Sequence, residues 1–339
     1  MKTILYIGNK LSKHGYTPTT IETLGPLLES THQVYYASEK KNQLLRLFDI
    51  SWSCIRWHRK VDIVLIDTYG TSAFYIALTV SFICRLVKLH YIPILHGGNL
   101  PLRLQNSPLL CQWIFKYSYQ NVAPSGYMQA IFSKHGYGSQ IIPNPINIYK
   151  YSFKYRENIY PRILWVRSFA ELYNPDMAIQ VLKQLLNNYP EATLCMIGPD
   201  KYGSLERCKR LAQDLAIIES VTFPGKMSKF DWHQLSKNYD IFINTTNVDN
   251  APVSVIEAMA LGLPIVSTSV GGIPFLFENR KEGFMVEVGN VDEMVNTIEF
   301  LLKYPTEVAR ISFNARQKSM EWAFENVKTK WDNLLNKIV

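Results

Sequence analysis

Short, continuous apolar runs alternate along this chain with stretches whose apolar residues return every three to four positions. The runs at 4–7, 63–66, 162–166 and 240–244 carry no regular polar face, the pattern of strands covered on both sides in a parallel sheet. Strands are expected also at 34–36, 91–95, 122–125, 193–197, 221–226, 264–267 and 283–286. Helices are expected at 21–29, 72–86, 108–119, 126–132, 175–187, 205–216, 231–238, 253–261 and 292–302, with a last one from Phe313 onward. No element is read between 37 and 62. Strand and helix taking turns in this way predicts an α/β protein. The stiff Pro143-Asn144-Pro145 link and the aperiodic polar and aromatic stretch up to Tyr160 predict a joint between two domains.

The most informative stretch is 244–272, NTTNVDNAPVSVIEAMALGLPIVSTSVGG. A buried strand leads into a polar loop; Pro252 suits a first helical turn, Gly262 a left-handed helix end, and a strand and a glycine pair follow. Such strand-to-helix loops are where open α/β sheets bind ligands. The amides around Val253, Ser254 and Val255, with the helix dipole, form a seat for a phosphate. Asp249 and Glu257 flank that seat, eight residues apart, as acceptors for sugar hydroxyls on either side of a diphosphate.

This segment resembles the donor-site motif of family 4 glycosyltransferases, in which a carboxylate, seven residues and a glutamate precede an EAMALGLPIV tail and a later glycine pair. Glu257-Ala258-Met259-Ala260, Gly262, Pro264-Ile265-Val266 and Gly271-Gly272 carry the match, and Asp249 stands where the family usually has Glu. The resemblance implies a GT-B fold, with two Rossmann-like domains facing across a cleft and a C-terminal helix crossing back to the first. It places an acceptor domain at 1–145, a nucleotide-sugar donor domain at 146–312 and the returning helix at 313–339. It also implies transfer of a sugar from a nucleotide diphospho-sugar, a UDP-sugar first of all, to a hydroxyl acceptor, with retention and without a metal or other cofactor.

Further residues follow from the resemblance. His96, closing a strand in His-Gly-Gly-Asn and expected to be exposed, would position the donor sugar with Asp249. Gly15 would lie near the phosphates, and Arg167, Asn250, Ala251, Val253, Ser254, Val255 and Glu257 would bind the donor. Gly198, Gly225, Lys226 and Met227 would surround the base. The family's Gly before Arg167 is Val166 here, and its phosphate-binding Lys falls on Leu172.

Length and charge sharpen the partners. The 339 residues suit two domains, and the five cysteines are odd in number without a CxxC pair, which predicts buried free thiols in a reducing compartment and no zinc site. Residues 1–145 hold 14 Lys+Arg against 6 Asp+Glu, and the remainder 22 of each, so the whole excess of +8 lies in the first half. That asymmetry predicts an anionic partner: peripheral contact with an anionic membrane and a saccharide or lipid-linked saccharide acceptor, rather than nucleic acid, whose signature motifs are lacking. No signal peptide is read at the start, and the apolar run at 74–84 is too short to span a bilayer; a cytoplasmic place, at the inner face of the membrane, is expected. Two other classes share these features. A nucleotide-sugar epimerase of the same fold would release its sugar without an acceptor, and a non-catalytic membrane-surface partner would turn over no donor.

Overall fold

The computed structural model describes residues 1–14, 19–97 and 99–338. Gly15 therefore lies outside the described residues. The described chain divides into two compact units, residues 1–146 with 322–339 and residues 147–321.

The first unit is built on β1 Thr3–Ile7, α1 Thr20–Leu28, β2 Gln33–Ala37, α2 Gln43–Trp57, β3 Ile63–Tyr69, α3 Phe74–Leu86, β4 His90–His96, α4 Leu100–Asn106, α5 Pro108–Phe115, β5 Asn121–Ala123, α6 Gly126–Lys134 and β6 Ser139–Ile141. Its six strands pair in parallel in the order β2-β1-β3-β4-β5-β6. The runs at 4–7 and 63–66 are buried throughout because helices cover both faces of this sheet. Ile50, Cys54, Phe74, Val80 and Ile114 from α2, α3 and α5 pack on one face. Ile21 and Leu24 of α1 pack on the other. Helix α2 was not anticipated. Asn42 caps it, its side-chain oxygen accepting the amides of Leu44 and Leu45.

The second unit holds β7 Arg162–Val166, α7 Pro175–Leu185, β8 Thr193–Ile197, α8 Ser204–Asp214, β9 Val221–Gly225, α9 Lys229–Leu235, β10 Ile241–Asn244, α10 Val253–Ala260, β11 Ile265–Thr268, β12 Phe284–Val286, α11 Val291–Lys303 and α12 Pro305–Ser319. Its strands form a second six-stranded parallel sheet, ordered β12-β11-β10-β7-β8-β9. The α/β class with two Rossmann-like sheets is as expected. Helix α10 ends as its sequence implies, with Gly262 at φ +77° and the Leu263 amide returning to the Ala258 carbonyl.

Two expectations change. The stretch from 147 to 160 is no loose linker: the buried Arg156 guanidinium donates to the carbonyls of Lys154, Ser236, Tyr239, Leu261 and Gly262, tying the segment to its unit. A buried cation needs such a cage of acceptors. The helix expected from Phe313 is two, because α12 runs through that residue and stops at Ser319. The chain then bridges Ala323 to Ile146 and forms α13 Phe324–Leu335. Helix α13 buries Val327, Trp331, Leu334 and Leu335 in the same cluster as Ile4, Tyr6 and Leu24 of the first unit. Trp322 and Trp331 are both buried, and the five cysteines are free and buried, as expected of them.

Trp331 is among the largest fully buried side chains. Trp331→Ala is expected to cost about 3–5 kcal/mol in the first unit's unfolding free energy, measured by urea denaturation.

Candidate functional site

In the second unit, the carboxyl ends of β7, β8 and β9 and the start of α10 enclose a cavity of about 230 Å³. Of the expected donor residues, Arg167, Gly198, Lys226, Met227, Ser254 and Glu257 line it, joined by Tyr173, Lys229 and Trp232. Gly198 has to be glycine, since a Cβ there would stand 1.7 Å from the Arg167 carbonyl oxygen. Gly225 supports this wall through its carbonyl, which accepts the Gly198 amide.

At the mouth of α10 the first turn is only partly free. The Val255 amide is spent on the Pro252 carbonyl, contrary to the reading that offered it to a phosphate, whereas Val253 and Ser254 have no intrahelical acceptor. The Ser254 hydroxyl is buried and unpartnered. Asn250 and Ala251 sit in the preceding loop, whose path the glycine pair permits: the Gly272 amide donates to the Asp249 carbonyl, and a Cβ on Gly272 would lie 1.4 Å from the Asn250 carbonyl oxygen.

Asp249 and Arg167, expected to face sugar and phosphate separately, form an ion pair with one another, and the Arg167 guanidinium lies 4.4 Å from the centre of the Tyr173 ring. Burial pushes Arg167 down to about 10, which leaves it cationic at neutral pH. Leu172, where the resembled family has its lysine, is exposed, and its carbonyl accepts from Thr246 and Asn247.

Glu257 is buried and accepts two hydrogen bonds at Oε1. Tyr151 donates its hydroxyl at 2.9 Å and Lys229 its ammonium at 2.7 Å to Oε1, and His233 Nε2 stands 3.8 Å from Oε2, an ion-pair distance. Burial alone would raise its pKa; the His233 and Lys229 contacts outweigh burial and hold the carboxyl below the usual range. The reading of the sequence missed Lys229 by starting the helix at Asp231. Ser228 caps α9, accepting the Asp231 amide, and that Ser-x-x-Asp spacing was the available signal. Tyr151 lay in the supposed linker and gave no signal.

His96 belongs to the first unit and is corrected in one respect: it is 5% exposed, not open to solvent. Register places Tyr69 of β3 beside His96, and Asp67 two residues earlier on β3 points its carboxylate at the ring. His96 Nε2 lies 2.9 Å from Asp67 Oδ1, which also accepts the Tyr6 hydroxyl, and Tyr69 stacks on the imidazole. The ring is thereby oriented, with Nδ1 left for other chemistry.

Residues 150–318, nearly the whole second unit, match the family described as Glycosyl transferases group 1. An uncharacterized glycosyltransferase of Haemophilus influenzae is 30% identical over 161 residues, 47% of this chain and 44% of the relative. A GDP-mannose-dependent alpha-(1-6)-phosphatidylinositol monomannoside mannosyltransferase of Mycolicibacterium smegmatis is 28% identical over 158 residues, 44% of this chain and 40% of the relative. The chain thus spans less than half the length of these curated relatives. The crystal structure of Anabaena Alr3699/HepE in complex with UDP superposes with a TM-score of 0.78 at 16% identity, covering 99% of this chain and 100% of that one, which shows a shared fold.

The Glu257 charge carries a pH signature. Because its folded-state pKa is depressed, its ionisation adds stability that is complete above the unfolded value of roughly 4.3 and is lost as pH falls through the lower folded value. The difference in melting temperature between the native protein and Glu257→Gln should therefore shrink between about pH 6 and about pH 3. Over residues 150–318 the chain belongs to the group 1 glycosyl transferases.

Proposed function

We propose that this protein transfers a glycosyl group from a nucleotide diphospho-sugar to a hydroxyl of a saccharide acceptor, with retention and without a metal. The observation that carries the reading is the cavity of the second unit, where Arg167, Lys226 and Lys229 meet the unpartnered Ser254 hydroxyl and the open end of α10. Three cations around a helix N-terminus suit a diphosphate, and they offset the lysine absent at Leu172. Glu257 takes the ribose hydroxyls by exchanging its bonds from Tyr151 and Lys229. Gly198, Lys226 and Met227 flank the base. Asp249 orients the sugar once a phosphate competes for Arg167, and His96 is offered as a positioning residue for the sugar.

In the transfer step the acceptor oxygen attacks the anomeric carbon on the face the diphosphate leaves. The bond from that carbon to the phosphate oxygen breaks, and the hydroxyl proton passes to the departing phosphate. Arg167 and the α10 amides stabilise the charge that grows there. A UDP-sugar is the first donor to test, since the Anabaena structure is a UDP complex, and a GDP-sugar the second, after the mycobacterial relative. A lipid-linked saccharide acceptor and a cytoplasmic place at the membrane's inner face are the finer parts of the reading, supported by the cationic excess of the first half. Among the described residues, no helix is long and apolar enough to cross a membrane.

A thermal-shift screen with UDP, GDP, ADP and their sugar conjugates, run in EDTA, tests the donor. One nucleotide family should raise the melting temperature, and Glu257→Ala, still folded, should lose that rise. No shift with any of them overturns the transferase reading in favour of a non-catalytic surface protein. With the donor in hand, Arg167→Ala should lower turnover by about 10²–10³-fold, while EDTA leaves the native rate unchanged in a product assay.

A further inference from the structure

The helices on the two faces of the first unit's sheet differ sharply in what they show to water. On α1 and α13 no large apolar side chain is exposed, as expected of helices whose apolar stripe is spent on the core. The other layer does the opposite. Along α2, Leu44, Leu45, Phe48, Trp52 and Ile55 form an outward stripe at helical spacing, with Leu44 78%, Phe48 72% and Trp52 55% exposed. The side of α2 turned inward includes Arg46, which is buried and donates to Asn9 and to the Lys40 carbonyl. A helix with an arginine inside and a tryptophan and a phenylalanine outside is not arranged for water.

The stripe continues across the layer. Helix α3 packs against both α2 and α5 and exposes Phe82 and Leu86, and α5 exposes Leu109 and Trp113. Between α3 and α5 these aromatics border an apolar groove of about 390 Å³. An apolar face spread over three adjacent helices far exceeds the scattered exposure normal on a soluble surface.

Charge says what covers it. From residue 40 to 60 there are six Lys and Arg against one acid, Asp49. Lys41, Arg56, Arg59 and Lys60 are exposed at the two ends of the stripe, and Lys88 and Lys116 are exposed at the ends of α3 and α5. A second copy of the chain would set this patch against itself and bring like charges together. Aromatic and aliphatic side chains fringed by cations instead suit an interface with headgroups outside and acyl chains within.

We propose that the outer face of α2, α3 and α5 is a membrane-docking surface that seats on an anionic lipid bilayer, with Phe48 and Trp52 entering the acyl boundary and the flanking cations contacting lipid phosphates. It shares no residue with the cavity of the second unit and holds for whichever sugar is moved.

The test is co-sedimentation of the full chain with vesicles of phosphatidylcholine alone and of phosphatidylcholine with phosphatidylglycerol. The protein should pellet with the anionic vesicles, be released by about 0.5 M salt, and bind about tenfold less as the F48E/W52E variant. Both positions are exposed, so the variant should fold and keep any nucleotide-induced thermal shift; that shift separates failure here from failure of the transferase reading. A second readout needs no disruptive change: brominated lipids should quench Trp emission in the native protein and less in Trp52→Phe. A native chain that stays in the supernatant with anionic vesicles, or a variant that pellets as well as the native protein, overturns the proposal. So does a native dimer that F48E/W52E converts to monomer in the absence of lipid.

Discussion

A carboxylate kept charged inside the second unit is the constraint on which its site depends. Glu257 stands on α10 within the core, where a lone anion would be too costly to retain. It is retained because three side chains from two different parts of the chain reach it: Tyr151 from the segment before β7, and Lys229 and His233 from α9. Satisfying one charge thus draws α9 against α10 and adds a second tie to the 147–160 segment beside the one Arg156 makes. The Arg167–Asp249 pair does the same for the opposite wall, clamped by Tyr173 on one side and by the glycine pair behind the loop.

How far the chain could be read in advance follows from where each signal is stored. Strands of parallel sheets are buried on both faces, so runs such as 63–66 and 241–243 declare themselves without knowledge of their neighbours. The turn from β10 to α10 was equally plain, because Pro252 and Gly262 act locally. The state of His96 could not be read that way: its burial depends on Asp67 and Tyr69 lying beside it on β3, and strand register is not a local property. Arg167 and Asp249 were each recognisable, yet their pairing arises only when β7 and β10 lie side by side.

Helix α2 escaped for a different reason. Its apolar residues surround much of the helix, and its inward face carries Arg46, so no single stripe marks a core side. The periodic test assumes that apolar means inside. It fails where a surface is built for something other than water, and the failure is itself informative, since locally inconsistent segments tend to be functional ones.

Helix α13 has a consequence for how the molecule is made. The second unit is one continuous piece, complete once residue 321 has been synthesised. The first unit is not: one face of its sheet is only partly covered, by α1, until Val327, Trp331 and Leu335 arrive after residue 321. On the ribosome, therefore, the half translated first is the half finished last, and it must wait through the whole of its neighbour's synthesis with Ile4, Tyr6 and Leu24 still short of their partners.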